Sequence, residues 1–582
     1  MPLPFLLPAL LLPALLAATP PEPMLHVKVP ARDGVELCVN VWLPAARGRF
    51  AAAVYRTPYR KTDRLTPGLR QFRDAGYVVV LQDVRGRGHS AGAFRQLLQE
   101  ENDTFDLLQW MTRQPWFDGR AGLFGGSYPG ISAWRGALSR HPAIRAIAPS
   151  FSGGDEYMDR YYSAGGAFRS GHRLWWMAEN FNLEGRKRPS FADVTGHLPL
   201  RDADRFATGQ TLDFFQAAMA HPSYDAYWRS LSTLQASARL RVPAHVTGGW
   251  FDPYCGTDLE MFDVLRAAGL PVRLILGPWG HNPSVPLETV NEQGAPASLR
   301  GFEIDWFNHW VRGAGRAADP VIRYFVMGAN LWRETPHWPP PGTTSVPVYL
   351  AGGRANSARG SGRLQPEPPR RAQPDEFQYD PANPAPTRGG ATCCNPRMIP
   401  WGPLDQREVE AREDVLVYTG EPLAQPLEIS GPVRAVLWVR SSAPDTDFTA
   451  KVVDVAPDGP ARLVCDGILR MRYRRGLERP VAYRPGQVER ITIPLGSIAW
   501  QLAPGHRLRL EVSSSNFPKY DRNLNTGRPA ARESTMRTAR QSVLRDQSHP
   551  SHLLLPVRRS DAEHSGRPLA SRIATPGNGS LR

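Results

Sequence analysis

An α/β fold class, followed by an all-β domain, is predicted by three features of this 582-residue chain. Short continuous apolar runs at residues 51–55, 77–81, 143–149, 241–250 and 272–277 read as strands covered on both faces. Amphipathic stretches such as residues 69–75 separate them, and alternation of strand with helix makes a parallel sheet. Beyond about residue 345, short strands follow one another across Pro/Gly turns, at 346–350, 415–419, 433–440, 449–455, 491–495 and 507–513. Many strands without helices between them point to a jelly roll or sandwich.

Residues 1–23 are apolar, end in small residues and lead into a Pro-rich spacer, which resembles an export leader, although no Lys or Arg precedes the run and prolines interrupt it. A secreted or periplasmic protein is expected on that reading, and a cytoplasmic one if translation starts at Met24. Residues 26–43 alternate apolar and polar around Asp33-Gly34, a hairpin signal. The sheet domain is expected over 24–149 and 240–344. It is interrupted over 150–239 by a stretch rich in Tyr, Trp, Phe and His without buried-strand patterns, which reads as an inserted helical cap. The jelly roll is expected over 345–556 and a loose tail over 557–582. No internal repeat is visible.

Length and composition fit a multidomain enzyme: single cores stop growing near ~250–300 residues, and 41% hydrophobic content with 16 Trp supplies packed cores. The net charge of +15 does not read as a nucleic-acid or membrane surface, because its arginines are scattered and Lys occurs only at 28, 61, 187, 451 and 519. No nucleic-acid partner and no stable membrane insertion are expected, and a homo-oligomer is left open. The five cysteines lack metal-ligand spacing. Cys393 and Cys394 are adjacent; a vicinal disulfide is one reading and two small apolar wall residues the commoner one.

The chemistry begins at residues 123–130, Leu-Phe-Gly-Gly-Ser-Tyr-Pro-Gly, an apolar run closed by glycines around Ser127. Such a sequence writes a strained strand-to-helix turn that exposes a nucleophile, as in an α/β-hydrolase domain, with Gly130 one place later than the strict pattern. A serine hydroxyl needs a histidine base and a carboxylate behind it, in the chain order Ser, acid, His. Asp252 follows the strand ending Gly249-Trp250-Phe251, and His281 the strand ending Pro278-Trp279-Gly280. Each lies where such sheets place their sites.

Residues 56–59 (Arg-Thr-Pro-Tyr), 82–86 (Gln-Asp-Val-Arg-Gly), 125–130, 249–252, 277–281 and 513–521 together resemble the cocaine esterase and X-prolyl dipeptidyl-peptidase family, closest to its bacterial cocaine esterase branch, over about residues 25–556. The resemblance implies an α/β-hydrolase domain with a helical cap and a jelly roll. It also implies Ser127 as nucleophile, His281 as general base and acid, Asp252 as orienting carboxylate, and an oxyanion hole from the Tyr59 hydroxyl and the Tyr128 N–H. The related α-amino-acid ester hydrolases carry acidic residues where this chain has Tyr254 and Cys255, so a neutral acyl group is expected. Tyr161, Trp176 and Tyr254 align with an aromatic acyl pocket, and Cys393 and Cys394 with a larger Leu-Phe pair. The expected substrate is a small-molecule ester of an aromatic or medium-sized acid, with no metal or organic cofactor. The alternatives are an amide-cleaving dipeptidyl-peptidase or acylase, and a carbohydrate-binding protein on a degenerate hydrolase.

Overall fold

The computed structural model describes residues 21–287, 289–290, 299–315 and 321–559. The expected leader lies outside them apart from its last three positions, as does the expected tail beyond 559.

Among the described residues, ten strands make the first sheet. β1 (Met24–Pro30) and β2 (Glu36–Trp42) form an antiparallel hairpin whose turn uses Gly34 at φ 79°. Then come β3 (Phe50–Thr57), β4 (Val78–Asp83), β5 (Phe117–Gly126), β6 (Ile144–Ser150), β7 (Ala244–Phe251) and β8 (Val272–Gly280), all parallel, in the spatial order β4-β3-β5-β6-β7-β8. β9 (Ile322–Val326) adds in parallel and β10 (Leu331–Thr335) closes the edge antiparallel. The parallel centre is as the apolar runs predict; the antiparallel edges make the whole sheet mixed. All six residues of β4 are buried, as a strand covered on both faces requires.

Helices cover both faces of the sheet: α1 (Pro67–Asp74), α2 (Glu100–Met111) and α3 (Tyr128–Ala137). α1 begins where the Thr66 side chain accepts from the Leu69 N–H, with Pro67 at a position that needs no donor. The cap carries a π-helical turn at Tyr157–Tyr161, then α4 (Ser170–Asn180), α5 (Phe191–Gly196), α6 (Ala203–Thr208), α7 (Asp213–Ala220) and α8 (Ala226–Leu231). Its core is aromatic: Tyr157, Tyr161 and Tyr162 surround Trp228 at ring distances of 5.4, 5.1 and 6.0 Å. α9 (Cys255–Ala267) and α10 (Leu299–Trp310) complete the sheet domain.

The second sheet has eleven strands: β11 (Thr343–Gly352), β12 (Gly362–Gln365), β13 (Asp375–Tyr379), β14 (Leu416–Thr419), β15 (Leu427–Ser441), β16 (Asp447–Val455), β17 (Ala461–Arg470), β18 (Glu489–Leu502), β19 (Arg507–Ser513), β20 (Ala539–Leu544) and β21 (His552–Arg558). All its pairs are antiparallel except β12 with β14. β18 pairs with β15 yet packs against β17 from the other end of the order, so the sheet folds back on itself. One sequence boundary is corrected. Val557 and Arg558 pair with Thr344 and Thr343, so the strand continues past 556, where a tail was expected.

The cap docks onto this β domain through α4, where the Gly171 N–H donates to Pro518 O at 2.7 Å. A Cβ at Gly171 would stand 2.7 Å from that same oxygen, so the contact requires glycine. Asp521 ties the two parts again, accepting from the Phe168 N–H at 2.8 Å and from Arg470 at 2.8 Å. Among the described residues no helix is long and apolar enough to cross a membrane.

Candidate active site

Ser127 stands between β5 and α3 at φ 62° and ψ −133°, a backbone state that costs about 1–3 kcal/mol for a residue with a side chain. Its neighbours explain how the turn closes. A Cβ on Gly125 would lie 2.4 Å from Pro129 Cβ, and one on Gly130 2.7 Å from Gly125 O. Pro129 fits because it sits in the first turn of α3, where an N–H has no helical acceptor. The displaced glycine of the motif is therefore a packing glycine between α3 and β5.

His281 Nε2 lies 3.0 Å from Ser127 Oγ, and His281 Nδ1 2.6 Å from Asp252 Oδ2. Asp252 is fixed from behind: its Oδ1 accepts from the Tyr254 N–H at 2.9 Å, and its own N–H donates to Gly249 O at 3.0 Å. Burial and the nearby Asp252 hold Asp258, farther along α9, well above the usual carboxylate range. The His281 loop is buttressed by the β domain, since a Cβ on Gly280 would stand 2.3 Å from the Trp401 ring.

The motif around Tyr59 is braced by buried ion pairs. Arg56 meets Glu100 Oε2 at 2.5 Å, Lys61 meets Asp83 at 3.2 Å, and Arg87 donates to Pro58 O and to Asn180 O of the cap. Glu100 also accepts from the Tyr128 hydroxyl at 3.1 Å, locking the residue that follows Ser127. The Tyr59 hydroxyl accepts from Trp176 Nε1 at 3.2 Å. Tyr128 opens α3, so its N–H has no carbonyl one helical turn back.

A narrow cleft is bordered by Tyr59, Ser127, Tyr128, Trp176, Tyr254 and Cys394, together with Ile131, Arg160, His172 and Arg173. Tyr254 turns its ring edge to His281 at 5.2 Å. Two expected wall residues stand elsewhere. Tyr161 lies behind Arg173, whose guanidinium covers its ring at 4.4 Å, and donates its hydroxyl to Gln96 at 3.0 Å. Cys393 does not border the cleft, and it is joined to Cys394 in a disulfide, not a free apolar residue. Cys255 is buried at the start of α9, facing a separate cavity of about 410 Å³ bordered by neither Ser127 nor His281.

Sequence reasoning missed Arg160, His172 and Arg173. Arg173 lies flat on Trp176 at 4.2 Å and donates to Gln96 at 2.9 Å. Burial first, then Arg173 and His281, push His172 well below the usual imidazole range. The available signal was a helical stretch holding His172, Arg173 and Trp176 without a polar face: nine of the eleven α4 residues are buried.

Residues 33–283 match the model of the X-Pro dipeptidyl-peptidase (S15) family, and residues 314–554 that of the X-Pro dipeptidyl-peptidase C-terminal non-catalytic domain. The chain is 38% identical over 565 residues to a cocaine esterase of Rhodococcus sp. (strain MB1 Bresler), covering 91% of this chain and 98% of that protein. The crystal structure of an aminopeptidase from a marine sediment Thaumarchaeota archaeon superposes with a TM-score of 0.82 at 27% identity, covering 92% of this chain and 97% of that one. An α-amino acid ester hydrolase superposes at 0.80 with 26% identity over the same shares. The chain belongs to the cocaine esterase and X-Pro dipeptidyl-peptidase family.

Proposed function

We propose that the protein is a serine ester hydrolase that works through an acyl-enzyme on esters whose acyl group carries no ammonium, aromatic and medium-sized acids included. The observation that supports this most is the unbroken line Asp252–His281–Ser127, with contacts of 2.6 and 3.0 Å. Ser127 Oγ attacks the ester carbonyl while His281 Nε2 takes its proton, and Asp252 stabilises the imidazolium. The Tyr59 hydroxyl and the Tyr128 N–H receive the oxyanion. His281 returns the proton to the departing alcohol, and water then repeats the sequence to release the acid.

The choice of acyl group follows from the wall. Two guanidinium-bearing residues, Arg160 and Arg173, border the cleft, Arg160 paired with buried Glu156 behind it, and no carboxylate borders it among the described residues. A substrate ammonium placed there would be desolvated beside like charge, which is strongly disfavoured.

The test is turnover of three substrates, phenyl butyrate, phenylglycine methyl ester and a Gly-Pro anilide, with Ser127→Ala protein in parallel. Fast hydrolysis of the neutral ester alone, lost in the variant, is expected. Preference for either amine-bearing substrate would overturn the argument from Arg160, Arg173 and Tyr254.

A further inference from the structure

We infer that Cys393, Cys394 and His172 form a redox-gated site for a thiophilic divalent cation, with zinc as its probe, in the wall of the cleft. The two cysteines are joined, and Cys394 borders the same space as Ser127. A disulfide between adjacent residues closes no chain loop, so it restricts the unfolded chain very little. Its purpose has to be sought in its surroundings.

Both sulfurs and one ring nitrogen of His172 lie within 4.8 Å of one another. His172 is 6% exposed; its Nε2 is 3.2 Å from the Tyr254 hydroxyl, and its Nδ1 is buried with no hydrogen-bond partner among the described residues. An imidazole that gives its Nε2 proton to a fixed oxygen has its Nδ1 lone pair free for a metal, the arrangement that outer partners impose on zinc-bound histidines.

A dithiol reductant supplies two electrons and two protons, turning the disulfide into two thiols while the reductant becomes its own disulfide. Zinc then forms two bonds to sulfur and one to Nδ1, and both thiol protons pass to solvent. Three protein ligands leave the fourth tetrahedral position to water. The oxidised pair has no thiolate to offer, so the disulfide excludes the ion. A bound ion beside Cys394 occupies room the acyl group needs, so reduction with zinc inhibits. Only this last step rests on the esterase reading.

The full-length protein is prepared oxidised and after treatment with dithiothreitol, exposed to zinc sulfate, freed of excess metal, and assayed for zinc content and ester turnover. One zinc per chain in the reduced protein and none in the oxidised one is expected, with turnover lost only in the reduced, zinc-loaded sample and regained with a chelator. Replacing both Cys393→Ser and Cys394→Ser removes the zinc while keeping the buried thiols of Cys38, Cys255 and Cys465. Tyr254→Phe weakens zinc binding by about 10–100-fold. Equal zinc in both redox states, zinc retained by the double variant, or no uptake by reduced protein overturns the site. Zinc bound without inhibition overturns its placement in the cleft. If no ester is turned over at all, zinc content still decides the site, and if the double variant fails to fold, the two redox states of the native chain do.

Discussion

Replacing Tyr59 by Phe removes one oxygen atom and leaves Ser127, His281 and Asp252 in place. The Tyr59 hydroxyl accepts from Trp176 Nε1 at 3.2 Å, so that contact leaves its proton available for an oxygen on the substrate side. A donor aimed where charge develops in the transition state is worth about 2.7–4 kcal/mol, or about 10²–10³ in kcat. The cost to the fold is smaller. Tyr59 is 39% exposed, so the space its hydroxyl leaves beside the buried Trp176 is open to water. A single hydrogen bond exchanged for one to water contributes about 1 kcal/mol or less. Steady-state kinetics on a neutral aryl ester should show kcat down by about 10²–10³ with KM changed by less than about 3-fold, and thermal melting should be nearly unaltered. A kcat within about 5-fold of the parent, or a rise in KM alone, would refute the assignment, because either means that the hydroxyl does not discriminate transition state from ground state.

Arg470→Ala should sharply lower resistance to thermal inactivation. Arg470 is buried between Asp447 at 2.9 Å and Asp521 at 2.8 Å, and stripping one partner from a buried ion pair costs about 3–5 kcal/mol; an unchanged inactivation half-life would show that the cluster is solvated in solution. Glu410→Gln should change how stability depends on pH. Burial and the adjacent Glu511 raise the Glu410 carboxyl above its ordinary 4.5, although Arg509 lies 2.5 Å away. A raised folded value means that the contribution is complete below about 4.5 and is lost as pH climbs through the raised value. The Gln variant should therefore melt relatively higher at about pH 8 than at about pH 5, and parallel pH curves for parent and variant would contradict this.

The parallel strands were legible because β4 and its neighbours are continuous apolar runs, a pattern few other structures demand. Ser127, Asp252 and His281 were legible for a related reason: each sits at the end of such a run, in a fixed order. β10 and β17 were not, since Arg333 and Arg462 interrupt their apolar patterns and their places are set by pairing with strands elsewhere in the chain. The cleft wall was the least legible part. Trp176 and Tyr254 could be placed only through family likeness, and the same likeness put Tyr161 in the wall, whereas its ring packs on Trp228 and lies under Arg173. His172 and Cys394 meet across more than two hundred residues of chain, a proximity that no local pattern encodes.

The dependence of the His281 loop on Trp401 has a temporal side. A ribosome that has passed the codon for His281 has made Ser127 and Asp252 as well, yet neither the indole that props up Gly280 nor the cysteine pair that finishes the wall has been synthesised. A nascent chain at that stage holds the reagents without the vessel. On the proposed mechanism, hydrolytic competence is expected only once the C-terminal domain has docked, and a polypeptide truncated before residue 401 is expected to lose turnover because nothing then props Gly280.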